Sequence, residues 1–359
     1  MQSPDPASQR TQTRVLVVDD SPLARDIITA ILQEDDDIDV IGQAENGQIA
    51  VELVECLRPD LVTMDIMMPV MDGLTAIQQI MAYHPTPILV VTSSSEAEVA
   101  YKAISNGALE VMQKPDMSAG PLEWAGFARR VKLLAQVRVV THVRGRGAVS
   151  GAATTQVLPI MGPSAALKVG RERLVAVGAS TGGPGALAKL LAGLPPDLTV
   201  GVVVVQHIAD GFVPGLVSWL RSVTMLSVKA AEEGEHVQPG TVYIAPTGSH
   251  TVLRTGGRLS MLDTPPVDSQ RPAVDVLFES VKKQYGRRAI GVLLTGMGHD
   301  GARGLKGIRD VGGHTIAQDE GSCVVFGMPR AAIELEAAEQ VLPLTEIPAA
   351  VVTLLRRPV

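Results

Sequence analysis

Short apolar runs alternate with amphipathic helical patterns along most of this 359-residue chain. The first series predicts strands at Val15–Val18, Val40–Ala44, Leu61–Asp65, Ile88–Thr92 and Val111–Lys114. Helical patterns such as Leu23–Gln33 and Ile49–Leu57 lie between them. Strands and helices in alternation are typical of a parallel sheet covered by helices on both faces. We therefore expect an α/β domain with a five-stranded parallel sheet.

A second alternating series begins at Leu174. Its predicted strands are Leu174–Gly178, Val200–Gln206, Thr241–Ala245, His250–Arg254, Ile290–Thr295 and His314–Gln318. Its predicted helices are Gly185–Leu191, Val213–Leu220, Val274–Tyr285 and Asp300–Asp310. We expect a second doubly wound α/β domain, mostly parallel, with an antiparallel section over Tyr243–Leu262.

The stretch between the two series differs from both of them in amino-acid composition. No acidic residue occurs from Trp124 to Arg171, and the later part is rich in Gly, Ala, Ser, Thr and Pro. We expect a disordered tail at 1–12, a first domain at 13–135, a basic flexible linker at 136–171 and a second domain at 172–357. The basic run could instead contact nucleic acid or an acidic partner.

The net charge, the cysteine content and the hydropathy of the chain argue against several classes of protein. The net charge of −7 argues against a nucleic-acid-binding protein, because phosphate contacts need clustered Lys and Arg. Cys56 and Cys323 lie far apart and form neither a metal-binding pattern nor a disulfide framework. No apolar run approaches the roughly 20 residues that cross a bilayer, and the N-terminus has no apolar signal core. We expect a cytoplasmic protein without direct membrane insertion.

Polar residues end the predicted strands of the first domain. They are Asp19, Asp20, Asp65, Thr92 and Lys114. Because the carboxyl ends of parallel strands line one edge of an open α/β sheet, these side chains should converge there. Carboxylates at close range need a compensating charge, and their oxygen atoms suit Mg²⁺. Any single pair of these residues could equally be a set of helix caps.

Residues 14–135 resemble a response-regulator receiver domain, which has a flavodoxin-like fold. The resemblance rests on VLVVDDS, MDIMMPVMDG, the strand-end Thr92 and Lys114-Pro115. It implies that Asp65 accepts a phosphoryl group from a chemosensory histidine kinase. It also implies that Asp19, Asp20, Asp65 and the Met67 carbonyl hold Mg²⁺, while Thr92 and Lys114 bind the phosphoryl oxygens. Many receivers have an aromatic switch residue where this chain has Val111. An aromatic rotamer change that couples to phosphorylation is therefore not expected at this position.

The second domain opens with VAVGASTGGPG at residues 175–185. Gly183–Ala188 fits the dinucleotide pattern G-x-G-x-x-[GA], but that pattern expects a carboxylate about 20 residues later. Gln206 and His207 stand there instead, so this interpretation is disfavoured. Gly178–Gly182 fits G-x-S-x-G, the strand-to-helix turn that exposes a nucleophilic serine. The sequence therefore favours Ser180 as a nucleophile.

A nucleophilic serine needs a base and an orienting acid. His207 and Asp300 follow predicted strands and could lie beside Ser180 at the same sheet edge. Alternatives remain: Ser180 and Asp300 could each cap the helix that follows, and His207 could be a core histidine. Other candidate bases are His142, His236, His250, His314 and the main rival, His299. His250 and His314 could suggest zinc, but no ligand spacing supports it.

Residues 172–357 resemble the catalytic domain of CheB-family protein-glutamate methylesterases. The resemblance rests on GASTGGP, VVVQHI, YIAPTGSH, RPAVDVLFES, LLTGMGHDGARG and FGMPRAAIE. It implies Ser180 as nucleophile, His207 as base and Asp300 as orienting acid, with oxyanion donors near Thr181 and Met297. It implies no cofactor in this domain. The family has a similar histidine at the position of His250, whose role stays open. At the position of His299, many members have a small polar residue instead.

Together the two resemblances imply a phosphorylation-activated serine hydrolase. Its substrates would be γ-glutamyl methyl esters of methyl-accepting chemoreceptors, and it would also deamidate receptor glutamines to glutamate. We expect the unphosphorylated receiver to block the catalytic cleft. Two alternatives are a phosphorylation-dependent scaffold with a vestigial catalytic domain and a transcription regulator. The second domain is too long for a lone helix-turn-helix, and too acidic, which disfavours the regulator.

Overall fold

The computed structural model describes residues 12–93, 97–115, 120–139 and 173–358, which form two compact units that divide near residue 146. The expected tail and nearly all of the expected linker lie outside the described residues. Within the described ranges, no helix combines the length and the apolarity that a membrane crossing requires.

The first unit contains a five-stranded sheet with the order β2-β1-β3-β4-β5. Its strands are β1 (Thr13–Val18), β2 (Ile38–Ala44), β3 (Leu61–Met64), β4 (Ile88–Thr92) and β5 (Glu110–Gln113). Its helices are α1 (Pro22–Gln33), α2 (Gly47–Leu57), α3 (Gly73–Tyr83), α4 (Ala97–Ser105) and α5 (Pro121–Ala135). All four strand pairings are parallel. The predicted five-stranded parallel sheet is confirmed, with strand ends within two residues of those expected.

Side-chain caps fix the residues at which the first three helices begin. They therefore also fix where the preceding loops, at the carboxyl edge of the sheet, end. The side chains of Ser21, Asn46 and Asp72 accept N–H groups at the starts of α1, α2 and α3. Such caps satisfy backbone donors that otherwise lack partners and contribute about 1 kcal/mol each. Strands β3 and β4 are buried along their whole length, as a sheet covered on both faces requires.

The second unit contains a seven-stranded sheet among its described residues, with the order β14-β13-β12-β6-β7-β9-β8. The strands are β6 (Leu174–Ala179), β7 (Gly201–Gln206), β8 (Ser227–Ala230), β9 (Thr241–Ile244), β10 (His250–Arg254), β11 (Arg258–Leu262), β12 (Ala289–Leu293), β13 (His314–Gln318) and β14 (Gln340–Leu342). The helices are α6 (Gly183–Ala192), α7 (Val213–Val223), α8 (Val274–Tyr285), α9 (Ala302–Asp310), α10 (Met328–Glu334) and α11 (Ile347–Arg356). Strands β10 and β11 form a separate antiparallel pair.

The antiparallel section expected over Tyr243–Leu262 is wrong in its first part. Strand β9 pairs in parallel with β7 and with β8, and only β10 and β11 run antiparallel. Three of the four β9 residues are buried, which suits an interior strand of a covered parallel sheet. The β10–β11 pair is joined through Gly256 and Gly257, both at positive φ, as a tight hairpin turn requires.

The strand order places a crevice beside β6. The chain runs from β6 to β7 on one side, then later returns to β12 on the other side of β6. In open α/β sheets, ligands bind outside the carboxyl ends of the strands at such a reversal. The residues that follow β6, β7 and β12 therefore meet at one place.

Candidate functional site

Ser180 stands directly after β6, at the carboxyl edge beside this reversal. Its N–H donates to the Thr295 carbonyl at 3.0 Å, and its own carbonyl accepts the Gly183 N–H at 2.8 Å. Gly182 caps α6 with a positive φ of 74° and without a side-chain bond. The alternative in which Ser180 caps α6 is therefore wrong, and its buried hydroxyl is not engaged as a helix cap.

His207 and Asp300 form a close pair in this crevice. Asp300 Oδ2 lies 2.8 Å from His207 Nε2, and both side chains are buried. Because an ionised carboxylate only accepts, Nε2 carries the proton and donates it to Asp300. Nδ1 is then the nitrogen with a free lone pair, and it has no hydrogen-bond partner among the described residues.

Asp300 also accepts backbone N–H groups from another element. Its Oδ2 accepts the Val274 N–H at 2.7 Å and its Oδ1 accepts the Asp275 N–H at 2.8 Å, at the start of α8. Burial acts to raise the pKa of Asp300, but the bond and charge of His207 and these two N–H groups outweigh it. The pKa of Asp300 therefore lies below its ordinary value, and the carboxylate stays ionised.

The expected capping role of Asp300 was assigned to the wrong helix. Gly301 caps α9 without any side-chain bond, whereas Asp300 caps α8, which begins about 26 residues earlier in the chain. No local sequence pattern indicates this contact, because it depends on the packing of α8 against α9.

Strand pairing brings Ser180 and His207 side by side. Ala179 and Gln206 are partners in the β6–β7 ladder, and the His207 N–H donates to the Ala179 carbonyl at 3.0 Å. Ser180 and His207 are thus the first residues beyond two neighbouring strands. In the described part of the chain, no hydrogen bond joins their side chains. Such bonds are often long before substrate binds.

The other candidate histidines have different partners. His250 is fully buried, donates from Nε2 to the Pro265 carbonyl and accepts the Ala273 N–H at Nδ1. Both of its nitrogens are thus used to hold the loop before α8. His314 pairs with Glu339, and His236 contacts the Gly256 carbonyl and Arg258. His299 lies 3.4 Å from Asp268, and His142 lies outside the described residues.

Free backbone donors lie beside Ser180. Among the described residues, the N–H groups of Thr181 and Met297 have no hydrogen-bond partner. A Cβ on Gly296 would lie 2.7 Å from the Cβ of Ser180 and 2.3 Å from Met328 Sδ. Glycine at this position therefore lets the segment that contains Met297 pass directly against the serine.

Sequence reasoning missed the residues beneath this turn. Thr295 Oγ1 donates to the Thr181 carbonyl at 3.0 Å and accepts the Val325 N–H at 2.9 Å. The Thr295 N–H donates to Gln318 Oε1 at 2.8 Å. Both side chains are buried. The sequence did hold a signal for Thr295 and Gln318, because each is a polar residue at or just beyond the end of an apolar strand. A buried polar side chain needs hydrogen-bond partners, and here the turn provides them.

The first unit also brings its strand-end residues together. Carboxylate oxygens of Asp19, Asp20 and Asp65 all lie within 4.8 Å of one another. The Lys114 ammonium lies 2.7 Å from Asp19 Oδ2 and 2.9 Å from Asp65 Oδ2. Clustered carboxylates of this kind are typical of a Mg²⁺ site.

The pKa of Asp65 is shifted upward. Burial raises its pKa to about 6, although Lys114 acts in the opposite direction. The Ile66 N–H donates to Asp65 Oδ1 at 2.7 Å and fixes its orientation. Thr92 is buried and its carbonyl accepts the Lys114 N–H, while Met67 has an exposed side chain.

Comparison with known proteins places both units in one family. Residues 175–351 match the family described as CheB methylesterase, and residues 15–119 match the response regulator receiver domain. The chain is 47% identical over 345 residues to protein-glutamate methylesterase/protein-glutamine glutaminase 2 of Anaeromyxobacter dehalogenans, covering 96% of this chain and 97% of that protein. This chain belongs to the CheB methylesterase family.

Further matches agree with this membership. A protein-glutamate methylesterase/protein-glutamine glutaminase 3 from Paramagnetospirillum magneticum is 42% identical over 340 residues, covering 95% of each chain. The crystal structure of the Thermotoga maritima CheB methylesterase catalytic domain aligns with a TM-score of 0.50 and 40% identity, covering 51% of this chain and 98% of that one. The predicted CheB-family methylesterase with a receiver domain, and its predicted α/β fold class, are confirmed.

Proposed function

We propose that this chain hydrolyses γ-glutamyl methyl esters on methyl-accepting chemoreceptors and deamidates receptor glutamines. The observation that supports this most strongly is the buried His207–Asp300 pair beside Ser180, in which Nδ1 of His207 has no hydrogen-bond partner within the described ranges. This is the arrangement that a serine nucleophile requires. The names of the curated relatives include both activities.

Acylation follows from the geometry of the three side chains. Ser180 Oγ attacks the ester carbonyl carbon while His207 Nδ1 takes the hydroxyl proton. Asp300, ionised and bonded to Nε2, stabilises the resulting imidazolium. The N–H groups of Thr181 and Met297 bind the oxyanion. The C–O bond to methoxide then breaks, His207 returns the proton, and methanol leaves an acyl-serine.

Deacylation reuses the same groups. Water attacks the acyl carbon while His207 takes a proton from it. The bond to Ser180 Oγ then breaks, His207 returns the proton to Oγ, and glutamate leaves. With a glutamine side chain the leaving group is ammonia, and the remaining steps are unchanged. Neither route draws on the acidic cluster of the first unit.

We propose Asp65 as the phosphoacceptor in the first unit. Asp65 Oδ attacks the phosphorus of a histidine kinase's phosphohistidine, and the phosphorus–nitrogen bond breaks. Asp19, Asp20, Asp65 and the Met67 carbonyl would hold Mg²⁺, whose charge neutralises the phosphoryl oxygens. The cluster fits such an ion, because its carboxylates lie close together and Lys114 is the one ammonium paired with them in the part of the chain that the structure describes. Lys114 and Thr92 would then bind the phosphoryl oxygens.

Phosphorylation of Asp65 would control the hydrolase. A receiver changes its conformational populations when the phosphoryl group forms contacts that the free carboxylate lacks. We propose that this change raises the rate of ester hydrolysis by a chain acting in the cytoplasm, with a chemosensory kinase as phosphodonor and a chemoreceptor as substrate.

The test is methanol release from a methyl-esterified chemoreceptor fragment. Wild type and Ser180→Ala are compared with and without a small phosphodonor and Mg²⁺. We expect release that requires Ser180 and increases with the phosphodonor. Equal release from both proteins would contradict the role of Ser180. No release from either would favour a scaffold with a vestigial catalytic domain.

A further inference from the structure

Gln206 lies between the two residues proposed as nucleophile and base. It ends β7 and is 2% exposed. Its side-chain Nε2 donates to the Ser180 carbonyl at 2.8 Å and to the His207 carbonyl at 2.8 Å. One amide group therefore ties the turn after β6 to the turn after β7.

We propose that Gln206 is a positioning residue that sets the separation between the Ser180 hydroxyl and the His207 ring. This inference rests on the proposed function of Ser180 and His207. Backbone hydrogen bonds between β6 and β7 end with the bond from the His207 N–H to the Ala179 carbonyl. Beyond that point, the Gln206 amide supplies the link between the two catalytic turns.

A primary amide suits this position for a chemical reason. Both groups that face Nε2 are carbonyl oxygens, so the position needs two donors on one atom. The reversed amide would place Oε1 against two oxygens. Without Nε2, the His207 carbonyl would lose this donor, and the Ser180 carbonyl would keep only the Gly183 N–H.

Gly183 provides the space for this side chain. A Cβ on Gly183 would lie 2.0 Å from Gln206 Oε1 and 2.8 Å from Gln206 Cδ. Gly183 has an ordinary negative φ, unlike Gly182, so its backbone does not require glycine. The second glycine of STGG is therefore explained by the Gln206 side chain that packs against it.

The expected effect is on turnover rather than on substrate affinity. A misplacement of about 1 Å between reacting groups lowers rates by roughly 100-fold. Substrate contacts outside the two turns remain in place, so KM should stay within about twofold while kcat falls by roughly 10- to 100-fold.

The first experiment compares Gln206→Met with wild type in methanol release from a methyl-esterified receptor fragment. Met keeps the length of the side chain and removes both donors. Thr315→Val is the matched control. Thr315 is a buried residue of β13, away from Ser180, and the substitution removes the hydrogen bond that its hydroxyl accepts from the Glu339 N–H. We expect kcat to fall only in Gln206→Met, and labelling of Ser180 by a fluorophosphonate to slow in parallel.

A double-mutant cycle covers the case in which Gln206→Met does not fold. Gly183→Ala should lower kcat in the wild-type background by displacing Gln206. A Gln206→Ala background removes the two shortest contacts and leaves the Ala179 Cβ at 2.9 Å, so the same substitution should have a much smaller effect there. Additive effects of the two substitutions would overturn the inference.

The outcomes separate the inference from the proposed function. If wild type shows Ser180-dependent release and Gln206→Met matches it in kcat, the positioning role of Gln206 is wrong. If wild type shows no Ser180-dependent release, the proposed function itself fails. A kcat loss shared equally by Thr315→Val would also overturn the inference, because a general loss of packing would then explain both variants.

Discussion

At the scale of single residues, burial sets the behaviour of both carboxylates on which the proposed chemistry depends. Asp65 and Asp300 are each almost fully buried, yet their pKa values move in opposite directions. Asp300 accepts two backbone N–H groups and the His207 N–H, which favour the charged form. Asp65 has Lys114 and one N–H, which do not offset burial beside Asp19.

The raised pKa of Asp65 predicts a pH-dependent stability. Its folded value, about 6, exceeds the ordinary 3.8, so its contribution is greatest below 3.8 and is lost as the pH rises through 6. The resulting change in the free energy of unfolding is at most about 3 kcal/mol. Hydrogen exchange of β1 and β3 amides, measured in EDTA at pH 5 and pH 7.5, should show weaker protection at pH 7.5. Asp65→Asn should reduce that difference, and an unchanged difference would contradict the prediction.

Replacing Asp300 should affect catalysis and stability together. Asp300→Asn leaves a neutral acceptor in place of the charge, so kcat should fall by up to roughly 10⁴-fold. The folded pKa of Asp300 lies below 3.8, so its charge stabilises the fold above that pH and ceases to do so as the pH falls through the folded value. Urea unfolding should therefore show a stability loss of about 1 kcal/mol at pH 7 that shrinks near pH 3. Equal losses at both pH values would argue against this account.

At the scale of elements, the turns between strand and helix position the candidate site. Sequence reasoning located Ser180, His207 and Asp65, because each follows an apolar run whose end is visible in the local pattern. It could not locate Thr295 or the α8 cap, since these contacts join segments far apart in the chain. For the same reason, it missed that β9 lies between β7 and β8.

Gly296 provides a test of how closely these turns pack. Gly296→Ala would place a Cβ 2.3 Å from Met328 Sδ and 2.7 Å from the Cβ of Ser180. We expect stability to fall by about 1–3 kcal/mol through overpacking, and kcat to fall by at least tenfold. Gly307→Ala is the control, because in α9 the added Cβ meets the far ends of the flexible Lys282 and Glu279 side chains, no closer than 3.1 Å. Normal turnover in Gly296→Ala would contradict the packing described.

At the scale of the whole molecule, the fold divides into units that each have their own core. One cluster of buried side chains, including Leu16, Val62 and Val90, lies in the first unit, and another, including Leu277 and Phe278, lies in the second. The two alternating series in the sequence are the basis for expecting two domains. The edge strands β8 and β14 were not predicted, because three- and four-residue runs give almost no periodic signal.

A fragment of residues 172–359 tests the proposed regulation. Since the second unit has its own core, we expect the fragment to fold and to release methanol without a phosphodonor. Its rate should exceed that of unphosphorylated full-length protein by roughly 5- to 150-fold, the range typical of coupling between two sites. A fragment no faster than the resting full chain would contradict an inhibitory receiver. Full-length Asp65→Asn should stay at the resting rate with the phosphodonor.

The cap that Asp300 forms on α8 has a consequence for how this family can diverge. The residue meets a folding requirement as well as a chemical one, so selection for a stable fold preserves it even where hydrolysis is no longer needed. Among the described residues, the Ser180 side chain forms no hydrogen bond and caps no helix, so it has no such structural role. A descendant that abandoned the reaction would be expected to lose the serine first and keep the aspartate, so Asp300 is a poor marker of activity and Ser180 is a good one.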